Sequence, residues 1–244
     1  MKIVEFFGYR FSNKPLSDVI EGLNSLDNAT RFNHVVTMNP IIFMRSEFNV
    51  ALKSIVQQAN LIVVDGIGLK WAIKLLKKIS VNVVTGIDLC YYLLAQKNFS
   101  CYLLGGTPQV LTGAVTIIKK EFPTTTVLGH HHGFFSKEEL PAIINDIKSV
   151  NAPYIFVATG FPYQEHIIQA LRENGCSGTA IGIGGVFDVL SGLKKPAPTW
   201  IKKYHLEWGY RSFQDIRRLP RLRYLIYFVF FVMTHFFKGK FKRS

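Results

Sequence analysis

The sequence predicts an α/β fold in which a mostly parallel, Rossmann-like sheet carries helices on both faces. Six short, nearly continuous apolar runs alternate with longer segments of helical periodicity. This alternation is typical of parallel strands that are covered on both sides and joined by helices. The composition then changes near residue 195, where basic residues become frequent. We therefore predict an α/β domain over 1–195 and a basic helical appendage over 196–244.

The predicted elements follow one another in a regular order. The runs rich in β-branched residues predict strands over 35–39, 61–65, 101–105, 124–128, 154–158 and 179–183. The segments between them predict helices at about 46–59, 68–78, 88–97, 108–121, 136–149 and 164–173. The appendage predicts a helix from Thr199 to about Asp215 and a second helical segment after Pro220.

The appendage carries almost all of the net charge. Residues 194–244 contain 13 lysines and arginines against two acids, a net charge of +11 out of +13 for the chain. The apolar run 224–237 inside it has 14 residues, whereas a membrane-spanning helix needs roughly 20. Basic residues around an aromatic run suit an anionic membrane surface better than nucleic acid. We expect interfacial anchoring, with a tilted hairpin or a buried core helix as alternatives, and exposed apolar surface there can also drive homo-oligomerisation.

Two further features favour a reducing, cytosolic location. The three cysteines, Cys90, Cys101 and Cys176, are far apart in sequence and form no CxxC pair, which favours reduced core thiols. The amino terminus lacks the long apolar stretch and small-residue cleavage site of a signal peptide.

Glycines and polar side chains gather where the predicted strands end. The set is Thr37, Asn39, Asp65, Gly66, Gly105, Gly106, Gly160, Gly182, Gly184 and Gly185. In a parallel α/β sheet, ligands bind at the carboxyl ends of the strands, where glycines allow close backbone approach and helix N-termini favour phosphate. Each glycine alone is explained by a tight βα turn, but together they predict a crevice for a nucleotide or a nucleotide-sugar.

Nine segments, in a fixed order, carry a family resemblance. They are 37–39, 65–68, 85–89, 103–106, 132–135, 160–165, 182–188, 192–198 and 206–211. On these segments the chain resembles the WecG/TagA/CpsF glycosyltransferases (glycosyltransferase family 26), which make bacterial cell-surface polysaccharides. The similarity covers about residues 30–225.

The resemblance implies an inverting enzyme that takes a sugar from a UDP-sugar donor, mostly of the N-acetylmannosamine type. The implied acceptor is a polyprenyl-diphosphate-linked sugar at the cytoplasmic face of the bacterial cell membrane. The resemblance implies no metal and no other cofactor. It also implies that the appendage binds the membrane peripherally and helps to complete the active site.

Asp65 is the predicted catalytic base, because inverting transfer requires a carboxylate that takes the proton of the attacking acceptor hydroxyl. The alternative is an aspartate that caps the helix starting near Gly68. Thr37 and Asn39 are predicted to contact the acceptor sugar or the donor beside Asp65. For these two residues the alternative is ordinary strand-end turn chemistry.

The other predicted binding residues carry open alternatives. Gln164 is expected to contact substrate and Glu165 a ribose hydroxyl, although an acid at a helix start is also explained by the helix dipole. The turn Gly182–Gly185, with Phe187 and Asp188, is expected to bind nucleotide. Asp88 is either an N-cap or a donor-site contact.

A departing UDP and a lipid diphosphate both need positive charge in the site. Five arginines lie at near-helical spacing between 211 and 223, and we choose Arg211 and Arg221 as candidates. The alternative is a solvated or lipid-facing basic patch. One departure from the family pattern stands out: family members often carry a basic residue shortly before the segment 84–89, where this chain has Val81-Asn-Val-Val84, with Lys77 and Lys78 further upstream.

Three further interpretations fit the sequence less well. The tract His130–His132 resembles a metal site, but three consecutive extended side chains cannot all face one ion, and no Asp-x-Asp motif occurs. A nicotinamide-dependent oxidoreductase would carry GxGxxG at the first βα turn, where Thr37-Met-Asn-Pro40 stands instead. A non-catalytic membrane adaptor would explain the appendage but not the polar cluster at the strand ends.

Overall fold

The computed structural model describes residues 3–26, 28, 30–193, 198 and 220–241. Its strands are β1 (Ile3–Phe6), β2 (Tyr9–Ser12), β3 (Phe32–Met38), β4 (Leu61–Val64), β5 (Ser100–Gly105), β6 (Thr126–His131), β7 (Tyr154–Ala158) and β8 (Gly178–Gly182). Its helices are α1 (Leu16–Asn24), α2 (Pro40–Glu47), α3 (Val50–Gln57), α4 (Ile67–Lys77), α5 (Gly86–Leu94), α6 (Pro108–Glu121), α7 (Leu140–Val150), α8 (Tyr163–Glu173), α9 (Val186–Leu190) and α10 (Arg223–Phe241).

The eight strands form a single sheet in the order β1-β2-β4-β3-β8-β7-β5-β6. Every neighbouring pair is parallel except β1 and β2, which form an antiparallel hairpin at one edge. The predicted mostly parallel α/β fold is therefore confirmed. Because the parallel strands all point the same way, their carboxyl ends meet along one rim of the sheet.

The edge hairpin and α1 are absent from the predicted elements. The hairpin turns at Phe7 and Gly8, which both have positive φ angles, of 49° and 82°. Two consecutive positive φ angles are typical of the tight turns that join antiparallel strands. Four-residue strands joined by such a turn give too short a pattern to be recognised in the sequence.

The predicted helix at 46–59 is wrong in its extent, because two helices occupy this region. Asn39 caps α2, which begins at Pro40, and Asn49 caps α3 by accepting a hydrogen bond from the Leu52 amide at 3.1 Å. The predicted strand at 124–128 lies two residues further on, at Thr126–His131. The predicted helix over 199–215 lies outside the described residues.

The core lies in apolar layers on both faces of the sheet. One layer packs α1, α5, α6 and α9 against the sheet, and a smaller one packs α7 and α8. A further layer is formed by the edge hairpin, α2, α3 and α4, and α10 completes it by burying Phe228 and Val232. The three cysteines are buried and free.

The helix α10 presents apolar side chains on two faces. Phe228 packs edge-to-face on Phe43 of α2, with ring centroids 5.7 Å apart. Ile226, Val229 and Phe230 are exposed on the other side of the helix. Among the described residues, no helix is long and apolar enough to cross a membrane.

We predict that Phe228→Ala destabilises the chain and that Phe230→Ala does not. Phe228 is 4% exposed and Phe230 is 72% exposed on the same helix, so the pair differs mainly in burial. Removing the buried Phe228 ring should lower the free energy of unfolding by about 3 kcal/mol. Removing the exposed Phe230 ring should lower it by less than about 0.5 kcal/mol. Urea denaturation checks both values, and equal losses would contradict the packing of α10 on the sheet domain.

Candidate functional site

A cavity lies at the rim formed by the carboxyl ends of the parallel strands. Its volume is about 690 Å³, which is within the usual range for small-molecule sites. Residues that follow β3, β4, β5, β6, β7 and β8 all line it. The sequence prediction of a strand-end crevice therefore corresponds to an actual cavity.

The structure brings together ten of the sixteen predicted site residues in this cavity. They are Thr37, Asn39, Asp65, Gly106, Gly160, Gln164, Gly184, Gly185, Asp188 and Arg221. Of the other six, Gly66, Gly105, Asp88, Glu165 and Gly182 are not lining residues, and Arg211 lies outside the described residues.

Asp65 follows the last residue of β4 and faces the cavity. Its backbone amide donates to the Met38 carbonyl at 2.8 Å, which continues the pairing of β4 with β3 and fixes its position. The N-cap of α4 is Gly66, with a φ of 85° that favours glycine. Asp65 therefore precedes the cap, and its carboxylate is placed at the cavity wall.

Thr37 and Asn39 face the same cavity with part of their hydrogen-bonding capacity in use. The Thr37 hydroxyl donates to the Gly182 carbonyl at 2.9 Å, across the pairing of β3 and β8. Oδ1 of Asn39 accepts from the amides of Ile41 and Ile42, both at 3.0 Å. The turn-chemistry alternative is thus correct for the Asn39 carbonyl oxygen, while its amide nitrogen is the group that a ligand can use.

Two glycines outside the lining are required by close packing. A Cβ on Gly105 would lie 2.5 Å from the Ala158 backbone, and the φ of Gly105 is 139°. A Cβ on Gly182 would lie 2.4 Å from the Gln164 amide nitrogen. Both glycines therefore shape the cavity wall by letting neighbouring groups approach.

Gln164 and Glu165 differ in their access to the cavity, since only Gln164 is a lining residue. The Gln164 side chain lines the cavity, where its Oε1 accepts from the Gly184 amide at 3.2 Å, and its Nε2 donates to Glu165 Oε1 at 3.2 Å. Glu165 is fully buried behind it, and its Oε2 has no hydrogen-bond partner among the described residues. Burial raises the pKa of the Glu165 carboxyl from 4.5 to about 8, although the bond from Gln164 lowers it in part.

Asp88 and Thr85 form two hydrogen bonds with each other at the start of α5. The Asp88 amide donates to Oγ1 of Thr85 at 3.2 Å, and the Thr85 hydroxyl donates to the Asp88 carboxylate at 2.6 Å. The side chain is exposed. The expectation that Asp88 is itself the N-cap is wrong, because Thr85 is the N-cap of α5 and Asp88 lies in its first turn.

Several lining residues were not predicted as site residues. Arg45 reaches the cavity from α2, and Thr159 and Tyr163 flank Gly160. Phe134, which is largely exposed, follows β6. Arg45 lies in a helix without a recognisable motif, so only the fold shows that it faces the strand ends. Lys77 and Lys78, the basic residues upstream of the segment 84–89, are not lining residues of this cavity.

The histidine tract does not gather metal ligands. The His131 ring contacts the His132 ring in a tilted arrangement, with centroids 4.6 Å apart, and lies near Phe135. Across the described part of the chain, no group of three or more histidines, cysteines, aspartates or glutamates is placed to hold a metal ion.

Comparison with known proteins identifies the family. The model of the glycosyl transferase WecG/TagA/CpsF family matches residues 4–244, almost the whole chain. The chain belongs to this family. Similar relatives in Staphylococcus aureus strains MW2 and NCTC 8325 are each 30% identical over 232 residues, covering 93% of this chain and 91% of the relative.

Both relatives are named N-acetylglucosaminyldiphosphoundecaprenol N-acetyl-beta-D-mannosaminyltransferase. The predicted resemblance and the enzyme class, a glycosyltransferase of polysaccharide biosynthesis, are confirmed. Membership in this family argues against the oxidoreductase and the adaptor.

We predict that Glu165→Gln changes how stability depends on pH. The folded pKa of Glu165, about 8, lies above the unfolded value of 4.5, so its contribution to stability is fully present below pH 4.5. It is lost as the pH rises through about 8, since the unfolded chain releases its proton first. Between these two pH values the free energy of unfolding of the wild type should fall by up to about 1.4 kcal/mol per pH unit relative to that of the variant.

The check is a series of denaturation curves of both proteins between pH 5 and pH 9. A stability difference that does not change over this range would show that Glu165 is ionised in the folded protein at neutral pH.

Proposed function

We propose that this glycosyltransferase moves an N-acetylmannosamine unit from a UDP-sugar to a polyprenyl-diphosphate-linked N-acetylglucosamine. The observation that carries the proposal is the position of Asp65 in the strand-end cavity, which the glycine turn after β8 also lines, in a chain of this family. The names of the relatives state the transferred sugar and the lipid-linked acceptor. The glycine turns support a nucleotide donor, because they bring backbone amides to the ligand.

The proposed reaction is a direct displacement with inversion. Asp65 takes the proton of an acceptor hydroxyl, and the oxygen attacks C1 of the donor sugar. The bond from C1 to the UDP oxygen breaks, and UDP leaves with the electron pair. Backbone amides near Gly184 and the Arg221 guanidinium would offset the negative charge on the departing diphosphate, with no metal required.

The remaining site residues have supporting roles in this proposal. Thr37 and the Asn39 amide contact a sugar beside Asp65, and Gln164 contacts the donor. Asp188 lines the same cavity from the first turn of α9, which Gly185 caps. Arg211 stays a prediction of the sequence.

We further propose that α10 holds the enzyme on the cytoplasmic membrane surface, as part of the appendage 196–244 that follows the α/β domain 1–195. The exposed side of α10 carries Ile226, Val229, Phe230 and Phe237. Such an apolar face next to basic residues is typical of helices that lie in the interface of an anionic bilayer. The cavity residue Arg221 lies two residues before the start of this helix, which would place the site close to the lipid-linked acceptor. Without a membrane, the same face is predicted to favour homo-oligomers.

We predict that Asp65→Asn abolishes most turnover without weakening the donor complex. The amide cannot accept the hydroxyl proton, so acceptor-dependent UDP release on liposomes should fall by about 10²- to 10⁴-fold. UDP affinity measured by calorimetry should change little. Asp18→Asn, which removes an exposed carboxylate on α1, is the matched control, and near-normal turnover of Asp65→Asn would exclude Asp65 as the base.

We predict that Phe230→Ser weakens binding to vesicles containing anionic phospholipid. The substitution removes a phenylalanine ring that is 72% exposed on the proposed membrane face. Affinity should fall by roughly tenfold, since burying one such side chain contributes about 1.5–3 kcal/mol. Leu128→Ser, an exposed apolar residue on the edge strand β6, is the control in the same co-sedimentation assay, and equal binding of both variants would argue against α10 as the anchor.

A further inference from the structure

We propose that Arg45 binds a diphosphate in the strand-end cavity and that the ring of Tyr224 on α10 orients its guanidinium for this contact. The proposal rests on the proposed function, in which both the donor and the lipid acceptor carry a diphosphate. In this proposal α2 supplies a positively charged side chain that contacts the substrate. The packing of α10 against the domain is then also needed to form the site.

The cavity needs positive charge, and little of it comes from the described residues. The charged side chains of its described lining are Arg45 and Arg221, which are positive, and Asp65 and Asp188, which are negative. A bound diphosphate brings further negative charge to this lining. Arg45 and Arg221 are therefore the described lining side chains that can offset the charge of that anion.

The Arg45 guanidinium is positioned but not neutralised by its described neighbours. Nη1 donates to the Phe161 carbonyl at 2.8 Å, and no carboxylate lies within salt-bridge distance in the part of the chain that the structure describes. A guanidinium has five N–H donors, so most of them stay available to an oxyanion. Arginine commonly binds phosphate through two parallel hydrogen bonds from this fork.

Two aromatic rings hold the guanidinium at the cavity wall. The Arg45 Cζ atom lies 5.3 Å from the centre of the Phe161 ring and 5.6 Å from that of Tyr224. Phe161 also lines the cavity, whereas Tyr224 belongs to the first turn of α10. Cation–π contacts of this kind fix the plane of the guanidinium and reduce the entropy lost on ligand binding. Arg45 thus links α10 to the ligand cavity through direct contacts.

The test measures the binding of the two diphosphates separately on the full-length protein. One arm is UDP against UMP by calorimetry, and the other is a short-chain polyprenyl diphosphate in detergent. Arg45→Gln should lower the affinity of the protein for one of these diphosphates by about 10- to 100-fold. If Arg45 binds the diphosphate of the donor, the variant loses more affinity for UDP than for UMP. If Arg45 binds the diphosphate of the acceptor, the variant loses affinity for the lipid diphosphate and keeps its affinity for UDP.

Matched variants separate binding from folding. Arg10→Gln removes an exposed arginine on β2, outside the cavity. It should leave the affinities for both diphosphates within about twofold of the wild type, because substitutions at the surface usually have small effects. Tyr224→Leu should weaken the binding of the same diphosphate that Arg45→Gln affects. Tyr224→Phe keeps the ring and should bind this diphosphate as the wild type does. If Arg45→Gln does not fold, Arg45→Lys decides, because it keeps the charge but loses the fork.

Two results would overturn the proposal. One is a variant at Arg45 that binds both diphosphates as well as Arg10→Gln does. The other is a wild type that binds neither diphosphate. Both arms are equilibrium measurements, so a protein that binds UDP but transfers no sugar would refute the proposed function and still decide the role of Arg45.

Discussion

The pairing of β3 with β8 is the constraint on which the site depends. These strands lie side by side in the centre of the sheet although more than 100 residues separate them in the chain. Their parallel register brings Thr37 next to Gly182, and the Thr37 hydroxyl closes the pair with a bond to the Gly182 carbonyl. All other lining segments are placed relative to this pair, because each further strand is added in parallel on one side or the other.

The wall of the cavity is supported by a buried carboxyl, that of Glu165, through its contact with Gln164. Gln164 is held between the Gly184 amide and the Glu165 carboxyl, so the glycine turn and the helix α8 are joined through one side chain. A Cβ at position 182 would displace the Gln164 amide. The raised pKa of Glu165 is the cost of placing a carboxyl in this apolar position, and the neutral form is the one that the surroundings stabilise.

The sequence predicts much of this arrangement, since parallel strands have a strong apolar signal and their ends carry glycines and polar residues. Thr37, Asn39 and Asp65 could be chosen because they follow recognisable strands. Arg45 could not, because its place in the cavity depends on how α2 packs against Phe161 and α10. The buried position of Glu165 was equally hidden, since an acid in the first turn of a helix is usually solvated.

The appendage was predicted by charge and apolar content alone, and these do not distinguish the two faces of α10. Phe228 and Phe230 are two residues apart, yet one fills the core and the other faces outward. The alternatives of interfacial anchoring and core packing are therefore not exclusive for this helix. A helix that is apolar on both sides can dock on the enzyme and still offer a surface to lipid.

The most direct test of the account is a crystal structure of the protein with UDP bound. We expect the diphosphate at the strand-end rim, near the Gly184 amide and within reach of Arg45 or Arg221, with Asp65 facing the space for the donor sugar. A nucleotide bound elsewhere, with Asp65 far from its diphosphate, would contradict the assignment of this cavity as the donor site.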